Sequence, residues 1–317
     1  MGSRHHIITV TGGVSPEKLG VVLPHEHILV DFIGADRVSR SRYDPNEVFR
    51  VALPYLQRLR QTGCRTLVEC TPAYLGRDPK LLQRLSRASG LYILTNTGWY
   101  GAANDKYLPA RVYSLTAEQI AREWIAEAQK GIEGTGIRPG FIKIGVDPEP
   151  SEVDMRLLEA AGLTHRKTGL TIASHTGPGA AARRQIERLE QIGVHPSAFI
   201  WVHAQMESDK SIHVWAAERG AWVEFDGVSP ETVEQHVELI LHLRQKGLLR
   251  QVLISHDAGW YQVGEPNGGT FREYTCLWTH LIPALRKAGL TDGEIEQLTA
   301  KNPQNAFAGR KVVDGNP

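Results

Sequence analysis

A chain of 317 residues in which 36 Lys and Arg nearly cancel 35 Asp and Glu has no basic block for nucleic acid or an anionic membrane surface, so a small-molecule partner is expected. Its three cysteines, Cys64, Cys70 and Cys276, are too few and scattered for a disulfide framework or a CxxC knuckle, which points to a reducing, cytoplasmic setting. The opening "MGSRHHIITVTGG" lacks a signal-peptide core, no apolar run approaches the ~18 residues of a membrane span, and His5 and His6 are given no role.

In chain order, eight β-rich apolar runs alternate with longer helical patterns: "GVVLPHEHILV", "RTLVECT", "LYILTNTGW", "GFIKIGVD", "LTIASHT", "AFIWVHA", "AWVEFDGV" and "QVLISHDAG". Such alternation is the signature of parallel βαβ units. Between the last two, "SPETVEQHVELILHLRQKG" reads as a helix capped by Ser229, with Pro230 in its first turn and Gly247 at its end. Its predicted buried face is Val233, Val237, Ile240 and Leu241. No linker or low-complexity tract interrupts the series, and the length lies within the ~200 to 400 residues that one α/β barrel spans. The expectation is therefore a single domain over 1–317, of the α/β class, closed as a (β/α)8 TIM barrel. An open sheet with a nucleotide site would carry a GxGxxG turn after its first strand, and "VTGGVSPEKLG" is not one.

Polar residues stand at the ends of these runs, where barrel enzymes assemble their sites. His25 and His27 share one face of the first strand while Glu26 points the other way. Lys143 sits inside the apolar run of the fourth, where an unpaired ammonium is expensive to bury. His175, His203 and Asp257 end the fifth, sixth and eighth. Neutral imidazoles with a carboxylate form the ligand set of zinc or a similar divalent ion. A protonated lysine is a poor ligand, but one that has taken up carbon dioxide becomes an anionic carbamate with two oxygens able to bridge two cations. His256 has the opposite strand parity to Asp257 and is placed outside the lumen. His165, His195, His213, His236, His242 and His280 fall in helices or connections and are assigned no catalytic duty; Cys70 and Glu69 are read as packing and structural.

Taken in order, this set resembles the phosphotriesterase family of the amidohydrolase superfamily. The likeness runs from "ITVTGGVSPEKLGVVLPHEHI" through "TLVECTPAYLGRD" and "FIKIGVD" to "NPQNAFA". It implies two divalent ions, zinc in the first instance, with His25, His27 and Asp257 on the more buried one and His175 and His203 on the exposed one. Carboxylated Lys143 and a hydroxide would lie between them, and Asp257 would take the proton of the attacking hydroxide. Homodimers are common in the family, so a homodimer is expected by analogy.

The substrate region departs from the family pattern. Met206 stands near an acidic proton-relay residue of the best-known member, Gly227 replaces a histidine after Asp226, and an arginine of the acyl-homoserine lactonases is missing. The loops "TGWYGAANDKY" and "AGWYQVGEPNGGTFREY" offer Trp99, Tyr100, Trp260 and Tyr261 as pocket walls. The expectation is thus hydrolysis of a carboxylic ester or lactone. Alternatives are phosphotriester cleavage, amide or phosphorylated-sugar lactone hydrolysis with Arg272 as phosphate contact, or a non-catalytic protein with structural metals.

Overall fold

The computed structural model describes residues 6–309; His5 and the two ends of the expected 1–317 domain lie outside the described residues. All eight apolar runs form strands: β1 (Val21–Glu26), β2 (Cys64–Glu69), β3 (Tyr92–Leu94, resumed at Asn96–Thr97), β4 (Phe141–Gly145), β5 (Ile172–His175), β6 (Phe199–Val202), β7 (Trp222–Phe225) and β8 (Val252–Ile254). Every neighbouring pair from β1 to β8 runs parallel. Helices α1 (Pro45–Gln61), α2 (Pro79–Ser89), α3 (Ala117–Lys130), α4 (Glu152–Thr168), α5 (Gly179–Gln191), α6 (Lys210–Glu218), α7 (Val233–Gln245) and α8 (Ile282–Lys287) follow the strands in turn. Among the described residues no helix is long and apolar enough to cross a membrane.

The last joint of the barrel differs from the rest. No ladder connects β8 to β1. Instead Asp257 N–H donates to the His25 carbonyl at 3.1 Å and His27 N–H to the Ala258 carbonyl at 2.9 Å. The buried Glu26 carboxylate accepts from Ser255 Oγ at 2.8 Å, His256 N–H at 3.0 Å, His256 Nδ1 at 2.8 Å and Ala258 N–H at 2.8 Å. One carboxylate that satisfies four donors does the work of an absent ladder.

Strand alternation sorts the core into two layers. Val68, Phe141, Ala173, Ile200, Val202 and Leu253 fill the barrel interior, whereas Leu67, Ile142, Ile172, Trp201 and Val223 pack outward against the helices. Lys143, His175 and Asp257 have interior parity. The β1 histidines do not: Leu23 is outward, and strict alternation would send His25 outward too. A register shift between Leu23 and Glu26 turns them inward. His203 follows inward-facing Val202 and is redirected by a left-handed backbone, φ 62°.

Helix starts follow their caps, with one correction. In α4, Ser151 Oγ accepts from Asp154 N–H and Asp154 from Ser151 N–H, a capping box closed at the other end by Gly169 at φ 75°. α7 begins at Val233, later than the cap expected at Ser229, because Thr232 Oγ accepts from Ser229 N–H and donates to the Gly227 carbonyl, holding Ser229–Thr232 as a turn. Its buried face is His236, Leu239, Ile240 and Leu243, so of the four predicted residues only Ile240 is fully buried.

Candidate active site

The strand-end residues converge at the C-terminal mouth. His27 Nε2 lies 3.2 Å and His25 Nε2 3.8 Å from Asp257 Oδ1, while His203 Nε2 meets His175 Nδ1 at 2.8 Å. The His25 and His203 rings stand 5.2 Å apart. Lys143, 2% exposed, shares the same cavity, and its Nζ has no hydrogen-bond partner. His25, His27 and Asp257 form one group whose ligand atoms lie close enough to hold a cation.

Three of the four rings are oriented from behind. Thr71 Oγ donates to Glu69 Oε1 at 2.5 Å, so its 2.7 Å contact with His27 Nδ1 needs the proton on that nitrogen. His203 Nδ1 faces Asp226 Oδ1 at 2.6 Å, and His25 Nδ1 faces Glu224 Oε2 at 3.2 Å. Each contact leaves an Nε2 lone pair for the lumen, the arrangement by which outer groups fix a ligand tautomer. His256, outside the lumen as expected, lies 2.8 Å from Glu26 by Nδ1 and accepts from Leu277 N–H by Nε2 at 2.9 Å.

The electrostatics favour neutral imidazoles at His25 and His175. Burial, then Lys143, holds the His25 ring well below its usual pKa; burial, then His203, does the same for His175. Burial also pulls on His203, but the Asp226 carboxylate outweighs it and raises the ring. Asp226 in turn stays below the ordinary carboxylate range despite burial, because of His203. Burial followed by Asp226 drives Glu224 well up, and burial brings Glu69 to about 7.

A cavity of about 190 Å³ opens above this set, walled by Val30, Phe32, Leu75, Tyr100, Tyr107 and Trp260. Tyr100 lies 5.1 Å from the His175 ring and Trp260 5.3 Å from that of His27. Trp99 and Tyr261 do not line it, contrary to the expectation that all four aromatics would be pocket walls. Trp99 packs edge-on against Trp124 at 5.9 Å under the Arg111 guanidinium, and Tyr261 donates to Glu47 at 2.6 Å. Trp99 and Tyr100 are adjacent bridged residues whose side chains alternate, whereas Trp260 has a left-handed backbone, φ 77°, and alternation does not account for its separation from Tyr261. Arg272 stacks on Trp260 at 4.8 Å and donates to the Asp257 carbonyl; it braces a wall and does not line the cavity. Met206 is 67% exposed, Gly227 has φ 74°, and Cys70 lines the cavity floor.

The groups that sequence reading missed are the orienting ones, Thr71 and Glu224, with Glu26 at the seam. "VEFD" carries a signal for Glu224: two carboxylates at i and i+2 in an apolar strand repeat on β7 the spacing of the β1 histidines.

Comparison with known proteins agrees with this architecture. The profile of the phosphotriesterase family matches residues 5–307. A phosphotriesterase homology protein of Escherichia coli is 27% identical over 93% of this chain and 100% of its own length. An N-acetyltaurine hydrolase of Dictyostelium discoideum is 27% identical over 80% of this chain and 72% of its own; an aryldialkylphosphatase of Saccharolobus solfataricus is 24% identical over 93% and 97%. A doubly substituted organophosphorus hydrolase from Deinococcus radiodurans superimposes with a TM-score of 0.86 at 27% identity, covering 97% of this chain and 98% of that one. The barrel, the histidines at its mouth and a family match over nearly its full length make this chain a member of the phosphotriesterase family of hydrolases.

Proposed function

We propose that the protein is a binuclear metal-dependent hydrolase of an uncharged carboxylic ester or lactone. The observation that carries this reading is the Lys143 amine, buried without a partner among imidazoles and a carboxylate. An isolated ammonium there is costly, whereas addition of carbon dioxide to the neutral amine, with loss of one proton, gives an anion suited to two cations. The remaining donors fit the same pair: His25, His27 and Asp257 would hold one ion, His175 and His203 the other, with carboxylated Lys143 between them. When bound, two such ions, zinc in the first instance, supply an acidified water and a Lewis acid for the carbonyl oxygen.

The chain's own residues do the rest. Glu69 through Thr71, and Asp226, keep the His27 and His203 rings turned toward the lumen. Asp257 lines the cavity and takes the proton that the attacking water gives up. Tyr100, Tyr107, Phe32 and Trp260 exclude water and hold an apolar substrate. Beyond Lys143, no lysine or arginine lines that cavity among the described residues, which favours an uncharged substrate over a phosphorylated lactone. Phosphotriester cleavage is a side activity in this reading, because neither Met206 nor Gly227 offers an acid–base group.

The test is a substrate panel on zinc-reconstituted protein: neutral aliphatic lactones, aryl esters, a phosphorylated lactone, an N-acyl amide and a phosphotriester. Neutral lactones or esters should give the highest kcat/KM. The N-acetyltaurine hydrolases among the relatives support amide cleavage as a second reading, and a panel led by the amide would replace the first with it. Unchanged turnover in thoroughly demetallated protein would reject both.

A further inference from the structure

β7 carries a carboxylate that the proposed chemistry leaves without a reacting partner. Glu224 is 1% exposed and, two residues before Asp226, points into the barrel with it. Its Oε2 lies 3.2 Å from His25 Nδ1, and its Oε1 has no hydrogen-bond partner. A carboxylate in that position is expensive, and the fold does not need it, since Trp222, Val223 and Phe225 around it are apolar core.

Asp226 is not free to serve His25. Its Oδ1 is engaged by His203 Nδ1 at 2.6 Å and Gln205 Nε2 at 2.7 Å. Its Oδ2 accepts from His203 N–H at 3.1 Å and stands 3.6 Å from His25 Nδ1, too far for a hydrogen bond. Glu224 is thus the side-chain acceptor within reach of that nitrogen. A cation on Nε2 requires its lone pair, so the single ring proton must sit on Nδ1, where only an acceptor can hold it.

We propose that Glu224 is a positioning residue that fixes His25 with its proton on Nδ1, and so sets the affinity of the more buried of the two cation positions. The inference rests on the binuclear reading. It gives each of the three rear-facing nitrogens its own acceptor: Thr71 for His27, Glu224 for His25, Asp226 for His203.

Chelator-competition titrations with zinc test it on the wild-type protein, Glu224→Gln and Glu224→Met. The methionine variant should bind one of its two zinc equivalents roughly 10- to 100-fold more weakly, with the other within about threefold of wild type. The glutamine variant, whose carbonyl oxygen still accepts, should stay within about threefold for both. A methionine variant that binds both equivalents normally, or a glutamine variant as weak as methionine, overturns the assignment. A second measurement needs no variant. In zinc-loaded, histidine-15N-labelled wild-type protein, long-range 1H–15N spectra should show His25 with its proton on Nδ1 and none on Nε2; a proton on Nε2 overturns it. Protein that binds no zinc at all sinks the binuclear reading itself, which separates the two failures.

Discussion

The two sides of the barrel mouth are held in different ways. Where β8 meets β1, polar groups are tied to the fold: Glu26 sutures the seam, and Thr71 and Glu224 hold the backs of His27 and His25. Across the lumen, Lys143 Nζ has no partner and His175 leans on His203. The first side is held by several polar partners, whereas on the second only His203 is anchored, by Asp226, and the Lys143 amine is left unpaired. Under the binuclear reading proposed above, this contrast suits ordered assembly, with the seam-side position filled first.

Ways to break that contrast run from total loss of activity to a modest change in KM. Stripping divalent ions and bicarbonate should abolish ester or lactone hydrolysis, with full recovery only when zinc and bicarbonate are both restored; recovery on zinc alone, in carbon-dioxide-free buffer, would remove Lys143 from its proposed role. Asp257→Asn should lower kcat by about 10²- to 10⁴-fold at nearly constant KM in steady-state assays. Glu69 gives a pH signature. Its folded pKa of about 7 lies above the unfolded value, so its contribution to stability is fully present below about pH 4.5 and lost as pH rises to about 7. Urea unfolding of metal-free protein should accordingly lose about 3 kcal/mol across that window in the wild type and not in Glu69→Gln. Glu26→Gln should cost about 2 kcal/mol in the same titration, since an amide nitrogen would face N–H donors at the seam. Smallest of all, Trp260→Ala should raise KM about tenfold, equivalent to ~1.4 kcal/mol, whereas Trp99→Phe should leave KM within about twofold.

The eight strands were legible because each is a short apolar run closed by turn residues, and the His, Lys and Asp set because those residues are conspicuous in such runs. The route by which they reach the lumen was less so. Simple alternation places Lys143 and His175, but His25 and His27 depend on the register shift between Leu23 and Glu26, and His203 and Asp257 stand on left-handed backbones. Neither distortion is written in residue type. Alternation also explains the misplaced Trp99, adjacent to Tyr100 in a bridged segment, whereas Trp260 and Tyr261 are separated at a left-handed Trp260 backbone. Orienting contacts such as Thr71 to His27 span 44 positions, and their pairing exists only once the strands are neighbours.

The back-to-back placement of Trp99 and Tyr100 has an optical consequence. Tyr100 walls the cavity while Trp99, one peptide away, lies against Trp124 and Arg111 on the far side. A ligand that shifts the phenol should perturb the neighbouring indole in its aromatic and cationic surround. The emission of Trp99, isolated by difference against Trp99→Phe, should then change with cavity occupancy, readable without a label and without a reaction.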